Sequence, residues 1–359
     1  MSPTQSLTIQ TAQPLRKQID ACVSEWLSRA GLGNNIANTA LFHTLFDDLH
    51  NFACRPGKRI RPLLFLQSVD IFCASPLPAD GLVSVAASLE MLHAFILIHD
   101  DLIDHSETRR GEPSLHKLLE SRLATLHNRQ QTAHNLALVL GDVLFARAQQ
   151  AILKSGVPNR AELLNLLLDY LIDTGCGELA DILYGVRDVS KVSVEEIEQM
   201  YWLKTTLYTI ECPLVMGAVL AGCEPPIIEA LKALAKPAGL AFQIQNDLKD
   251  FARFEISDAE IPDDLLEGKK TLLVRTAYEL LEDTERTLLQ LCLGSPIPTE
   301  STVAKAKELI LKSGAEPVVR QKMETLFEQA CKVARAEVFL PEQSAALLHL
   351  LKNVRQLIG

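Results

Sequence analysis

Apolar residues recur with a helical period of three to four from about Leu15 to the end of the chain. The pattern predicts helices over Pro14–Ala30, Ile36–Phe52, Ile60–Phe72, Gly81–Ile103, His134–Ser155 and Arg160–Gly185. It continues over Val194–Ala221, Glu229–Phe254, Lys269–Leu293, Glu300–Lys312, Ala315–Ala336 and Pro341–Leu357. Breakers fall between these runs, at Ser75-Pro76, Gly156-Val157-Pro158, Glu224-Pro225-Pro226 and Gly294-Ser295-Pro296. Alternation of period two fits nowhere, and no linker is long or Gly/Ser-rich enough to separate a pair of domains. The expected architecture is one all-α domain over residues 14–359, a helical bundle behind a flexible polar tail of residues 1–13.

Composition narrows the function. Lys plus Arg number 35 against 45 Asp plus Glu, a net charge of −10 without a basic stripe, which speaks against nucleic-acid binding. The eight cysteines form no C-x-x-C pair, so reduced thiols in a cytoplasmic protein are expected rather than disulfides or zinc. No uninterrupted apolar run reaches 18 residues, the one from Met91 to Ile98 stopping at His99-Asp100-Asp101, so no membrane span is expected. The first residues also lack the apolar segment of a secretory signal.

The chemistry concentrates after Glu90, in E-M-L-H-A-F-I-L-I-H-D-D-L-I-D. Asp100 and Asp104 share a helix face, with Asp101 beside them. A solvated helix end carries such acids too, but here they close a very apolar helix. Three mutually repelling carboxylates there suit a hard cation such as Mg²⁺. A second cluster, F-Q-I-Q-N-D-L-K-D-F, repeats the spacing at Asn246, Asp247 and Asp250 with one Asp replaced by Asn. Mg²⁺ usually takes one or two carboxylates plus substrate phosphates, so a phosphate ester is the expected substrate. The cations agree: Lys58-Arg59-Ile60-Arg61 after Gly57, Arg109-Arg110, Lys204-Thr205 and Gly268-Lys269-Lys270-Thr271. The last cluster lacks the glycine spacing and preceding strand of a P-loop.

In this order the motifs G-K-R-I-R-P, H-x-x-x-x-x-H-D-D-x-x-D, R-R-G-x-P-x-x-H, G-E-x-x-D, K-T, F-Q-I-x-N-D-x-x-D and E-G-K-K-T resemble the trans-isoprenyl diphosphate synthases, the polyprenyl synthetase group. The resemblance runs from about Gly57 to Thr271 by motif and onward by helical pattern. It implies the all-α isoprenoid synthase fold and a homodimer, with two aspartate-rich helices facing a deep cavity. It also implies an Mg²⁺-dependent prenyltransferase using up to three ions. Carried over by residue, Asp100, Asp101 and Asp104 with Asn246, Asp247 and Asp250 would hold the metal. Arg109, Lys204, Thr205, Gln243 and Lys269 would contact the allylic diphosphate. Gly57, Lys58, Arg61, His93 and Arg110 would bind isopentenyl diphosphate. Glu178 and Asp181 stand in a motif that often begins G-Q.

Two departures fall in the second acid region: Asn246 stands where the family usually has Asp, and Ala252–Asp264 lacks a Gly-Lys pair, with Arg253 as the candidate substitute. An active synthase with a raised Mg²⁺ requirement is expected. Phe95, five residues before Asp100, resembles the residue that stops elongation in short-chain synthases, so a C20 product is expected, with C15 as the alternative. The altered second motif also admits a cyclising or irregularly coupling enzyme, and a non-catalytic subunit of a heteromeric synthase or a helical scaffold is the reading outside enzymes.

Overall fold

The computed structural model describes residues 12–28, 40–125, 127–256, 265, 267–293 and 299–358. The expected tail up to residue 11 and the loop from 257 to 264 lie outside these residues. The chain divides into two compact units at Asn165 and Leu166.

The first unit contains α1 (Ala12–Leu27), α2 (Ala40–Ala53), α3 (Ile60–Phe72), α4 (Ala79–Ile103), α5 (Leu115–Arg122) and α6 (Arg129–Leu153). Its centre is α4, which packs on α6, α1 and α3 and buries Val85, Ala86, Ala87, Met91, Leu92 and Ile98. Small residues let α4 and its neighbours approach closely. A Cβ on Gly81 would lie 2.5 Å from the Ser155 carbonyl oxygen, and one on Gly141 would lie 2.5 Å from His99 Nε2. By length and composition both α4 and α6 could cross a membrane, but two thirds of the apolar stretch of α4 is buried inside the protein.

Between α4 and α5 the chain forms a two-residue ladder, β1 (Thr108–Arg109) against β2 (Glu112–Pro113). The alternation of period two gave no sign of it. Arg110 and Gly111 turn the chain with φ of 58° and 77°, the paired positive angles of a tight type I′ hairpin, for which Gly is suited.

The second unit takes in most of α7 (Arg160–Gly185), then α8 (Val194–Tyr201), a π-helical segment (Trp202–Glu211), α9 (Cys212–Leu220) and α10 (Pro225–Ile256). It closes with α11 (Leu272–Leu280), α12 (Asp283–Leu293), α13 (Glu300–Ser313), α14 (Ala315–Val333) and α15 (Pro341–Ile358). Helix α10 packs on the π segment and on α14, and Ile244, Leu248, Leu272, Leu273 and Met323 join one apolar core.

Two helices read as continuous from the sequence are subdivided. Val194–Ala221 switches to π winding in its middle. Pro213 has no N–H for the carbonyl four residues back and its ring crowds that carbonyl, which wider winding relieves. Lys269–Leu293 breaks at Leu281, where Arg286 caps the end of α11 by donating to the carbonyls of Tyr278 at 2.9 Å and Glu279 at 2.7 Å.

Candidate active site

In the first unit, the loop between α2 and α3 and the β1–β2 hairpin converge. Arg59 adopts φ 54° as it enters α3, and its buried guanidinium donates to Glu90 Oε1 at 2.6 Å, to Asp20 Oδ1 at 2.6 Å and to the Arg55 carbonyl at 2.9 Å. Arg110 reaches the same Glu90 oxygen at 3.3 Å and donates to the Arg55 carbonyl at 3.0 Å. Arg55 in turn pairs with Glu112 at 3.1 Å. Gly57 lies against this cluster: a Cβ there would meet Arg59 Nη1 at 2.9 Å and Arg110 Cζ at 3.1 Å. Lys58 is exposed and Arg61 buried on either side of Arg59. Desolvation, and after it Arg61, Arg110, Arg109 and Arg59, push His93 well below its ordinary pKa. A neutral imidazole therefore sits among guanidinium groups, two of which, Arg59 and Arg110, share Glu90 as a counter-charge.

At the end of α4, Arg109 lies on the acids. It donates from Nε to Asp101 Oδ1 at 2.6 Å and from Nη2 to Asp100 Oδ2 at 3.5 Å. Asp101 is buried, and desolvation raises its pKa to about 6 against the opposing pull of Arg109. Its other oxygen, Oδ2, is buried without a hydrogen-bond partner. Among the described residues no three acidic, histidine or cysteine side chains already surround a common point; the carboxylates engage Arg109 instead. A donor set of hard carboxylate oxygens, one of them buried and unsatisfied, fits a hard divalent cation completed by phosphate oxygens.

In the second unit, Lys204 sits in the π segment and pairs with Asp181 at 2.6 Å and Glu178 at 2.9 Å. Helix α7 reaches the segment through Gly177, where a Cβ would lie 2.2 Å from the Lys204 amide nitrogen, and α10 reaches it through Gly239, where a Cβ would lie 2.1 Å from the Thr206 side chain. On α10, Asp247 is buried, Asn246 partly buried and Asp250 exposed. Gln243 donates to Asp247 Oδ1 at 2.7 Å, and the Tyr201 hydroxyl donates to Asp247 Oδ2. Thr205 is partly buried. Lys269 pairs with Glu267 at 2.8 Å, whereas Lys270 turns inward onto the Gly185 carbonyl at 2.8 Å.

The model of the polyprenyl synthetase family matches residues 43–310. The chain belongs to the polyprenyl synthetase family. It is 35% identical over 261 residues to a short chain isoprenyl diphosphate synthase of Methanothermobacter thermautotrophicus, covering 72% of this chain and 74% of that one. To a geranylfarnesyl diphosphate synthase of Aeropyrum pernix it is 29% identical, covering 82% of this chain and 88% of that one. Among solved structures, geranylgeranyl pyrophosphate synthase from Corynebacterium glutamicum, complexed with isoprenyl diphosphate and magnesium, superposes with a TM-score of 0.81. That pair is 27% identical and covers 95% of this chain and 97% of the other. This polyprenyl synthetase thus has the all-α isoprenoid synthase fold and is a prenyltransferase.

Some of the synthetase's site residues escaped the sequence reading. Arg55 and Glu90 had a faint signal, Arg55 lying just before the G-K-R-I-R-P loop and Glu90 being a lone acid in an apolar run. Tyr201 had none, because its hydroxyl meets an aspartate 46 positions away.

Proposed function

We propose that this synthetase condenses isopentenyl diphosphate head-to-tail with an allylic diphosphate, giving a short-chain all-trans prenyl diphosphate of C20, with C15 as the alternative. The observation that carries the reading is the Arg59–Glu90–Arg110 cluster, in which Gly57 leaves room for the two guanidinium groups to pack against the loop. An enzyme that only ionised and cyclised a prenyl diphosphate would have no use for this second cationic site. Lys58, Arg61 and Arg110, with neutral His93 among them, hold isopentenyl diphosphate through guanidinium and ammonium donors.

Asp100, Asp101 and Asp104 in one unit, and Asn246, Asp247 and Asp250 in the other, would hold Mg²⁺. When bound, the ions neutralise charge on the departing diphosphate. Arg109, Lys204, Thr205, Gln243 and Lys269 bind the allylic diphosphate, and their fixed charges stabilise the leaving group as the allylic C–O bond breaks and the oxygen keeps the electron pair. The double bond of isopentenyl diphosphate then bonds to the allylic carbon, and a proton leaves the adduct to the released pyrophosphate. Apolar walls exclude water that would otherwise capture the cation, and Phe95 sets the depth available to the growing chain.

The enzyme works in the cytoplasm as a single synthase domain and as a homodimer. Support for a second copy comes from α7, where Ile172, Leu179 and Leu183 form an exposed apolar stripe, each at least 60% accessible. Sedimentation should give a dimer for the wild type and a monomer for Leu183→Glu.

The function is tested by incubating the protein with Mg²⁺, labelled isopentenyl diphosphate and, in turn, the C5, C10 and C15 allylic diphosphates. Products are identified as alcohols after dephosphorylation, with hydrocarbons extracted in parallel. One C20 alcohol from several primers is the expected result. Hydrocarbon without elongation would instead favour cyclisation, and no turnover would favour a non-catalytic subunit.

A further inference from the structure

Tyr201 is the last residue of α8, immediately before the π segment that carries Lys204 and Thr205. It is 4% exposed, and its hydroxyl does two things at once. The O–H donates to Asp247 Oδ2 on α10. The oxygen accepts the backbone N–H of Leu272 at 2.9 Å. Leu272 is the first residue of α11, directly after the Gly268–Thr271 loop that carries Lys269. One phenolic oxygen therefore joins an acid of the second cluster to the backbone of the lysine loop, at the entrance to the segment that holds Lys204.

The physical consequence is correlation. A buried hydroxyl with both its proton and a lone pair committed has little rotational freedom. With Gln243 on the other oxygen, the Asp247 carboxylate is held in one plane before any ligand arrives. The same hydroxyl satisfies one of the N–H groups that the start of α11 leaves without an intrahelical partner. The Thr271 side chain satisfies another, accepting from the Val274 N–H at 3.3 Å.

We propose that Tyr201 is a positioning residue that couples metal binding at Asp247 to the placement of the Lys269 loop. Binding at one is then felt at the other through a single hydroxyl, although Tyr201 touches neither ion nor substrate. The inference rests on the assignment of Asp247 as a metal-holding group and Lys269 as a diphosphate contact.

The test is Tyr201→Phe, which keeps the ring in the core and removes only the hydroxyl. Calorimetric titration of the non-reacting pair Mg²⁺ plus inorganic pyrophosphate should show binding about tenfold weaker than in the wild type, the scale of a lost charge-assisted hydrogen bond. The KM for isopentenyl diphosphate, whose proposed contacts lie in the first unit, should stay within about twofold of the wild-type value. Hydrogen exchange gives a second readout. In the wild type, Mg²⁺-pyrophosphate should protect both the 243–250 and the 269–276 segments. In Tyr201→Phe, protection of 269–276 should be lost while the thermal midpoint without ligand is nearly unchanged.

Wild-type binding with equal affinity and equal protection in Tyr201→Phe would overturn the role of Tyr201 alone. A wild-type protein that binds no Mg²⁺-pyrophosphate would instead overturn the assignment beneath it. A Tyr201→Phe protein that unfolds without ligand, or loses isopentenyl diphosphate affinity equally, would make Tyr201 an ordinary core residue and also overturn the proposal.

Discussion

Glu90 Oε1 accepts from Arg59 Nη1 at 2.6 Å, with the two side chains only 2% and 1% exposed. Arg110 stands 3.3 Å from the same oxygen. Removing the acid leaves Arg110 without its carboxylate and Arg59 with Asp20 alone. Glu90→Ala is expected to cost about 3–5 kcal/mol in urea unfolding, the scale for stranding one partner of a buried ion pair. The double variant Arg59→Met/Glu90→Leu should recover part of that stability, because it removes the more deeply buried of the two guanidinium groups. It should not recover isopentenyl diphosphate affinity, since Arg110 would have lost the carboxylate that aims it.

Asn246 presents a neutral oxygen donor or an amide where a carboxylate would carry charge, beside the buried Asp247. Affinity for hard cations rises with the charge of the ligand set. Asn246→Asp should therefore lower the Mg²⁺ concentration for half-maximal condensation by roughly three- to tenfold, measured at saturating substrates. An unchanged Mg²⁺ curve would remove Asn246 from the metal-holding set.

Gly177 faces the Lys204 amide so closely that a Cβ would sit 2.2 Å from the nitrogen and 2.6 Å from Cα. No side chain can rotate out of that clash, because the obstacle is backbone. Gly177→Ala should destabilise the protein by about 1–3 kcal/mol and lower kcat by displacing Lys204 from Glu178 and Asp181. Chemical unfolding and steady-state kinetics read the two effects separately.

The same glycine shows where the sequence stops being informative. The helices and acid clusters are legible because their signals are local: apolar periodicity gives Ile60–Phe72 and Arg160–Gly185 with both ends as observed, and i, i+4 spacing marks the aspartates. Helix α5, only eight residues long, is too short for the periodicity to stand out. The packing of α7 and α10 on the π segment runs through Gly177 and Gly239, which lie far from it in the chain. The Arg110–Gly111 turn does contain a local glycine signal, but the Arg110 side chain is tied to Glu90, twenty positions away. Residues that act across such distances, Tyr201 among them, have no neighbours in the sequence to announce them.

His116 is buried against Ser114, its Nδ1 3.2 Å from the hydroxyl oxygen. Desolvation, followed by Lys117, lowers its pKa from 6.5 to about 4. A histidine held neutral in the fold binds its proton more tightly when unfolded, so acid favours unfolding. Its contribution is retained above about pH 6.5 and lost progressively as the pH falls toward about 4. His116→Gln should flatten the fall in thermal midpoint over that window relative to wild type. Parallel curves would show that the imidazole is not the group responsible.

Phe95 packs edge-on against His99 at a centroid distance of 4.6 Å and against Phe145 of α6 at 5.0 Å. The aromatic barrier proposed beneath the Asp100 cluster is therefore a pair of rings on two helices. Its position is fixed by Gly141, whose missing side chain lets His99 lie against α6. Removing one ring opens space on one side only, while the other ring stays in place. Phe95→Ala should therefore shift products by about one isoprene unit, with a minority of longer chains. Phe145→Ala should do less alone, because Phe95 would still close the path, but Phe95→Ala/Phe145→Ala should lengthen products more than the two single changes added together. Chromatography of the dephosphorylated alcohols from each variant with the same primer measures this directly. Additive shifts would mean that the rings act as separate barriers, and an unchanged product spectrum in all three variants would place the floor elsewhere.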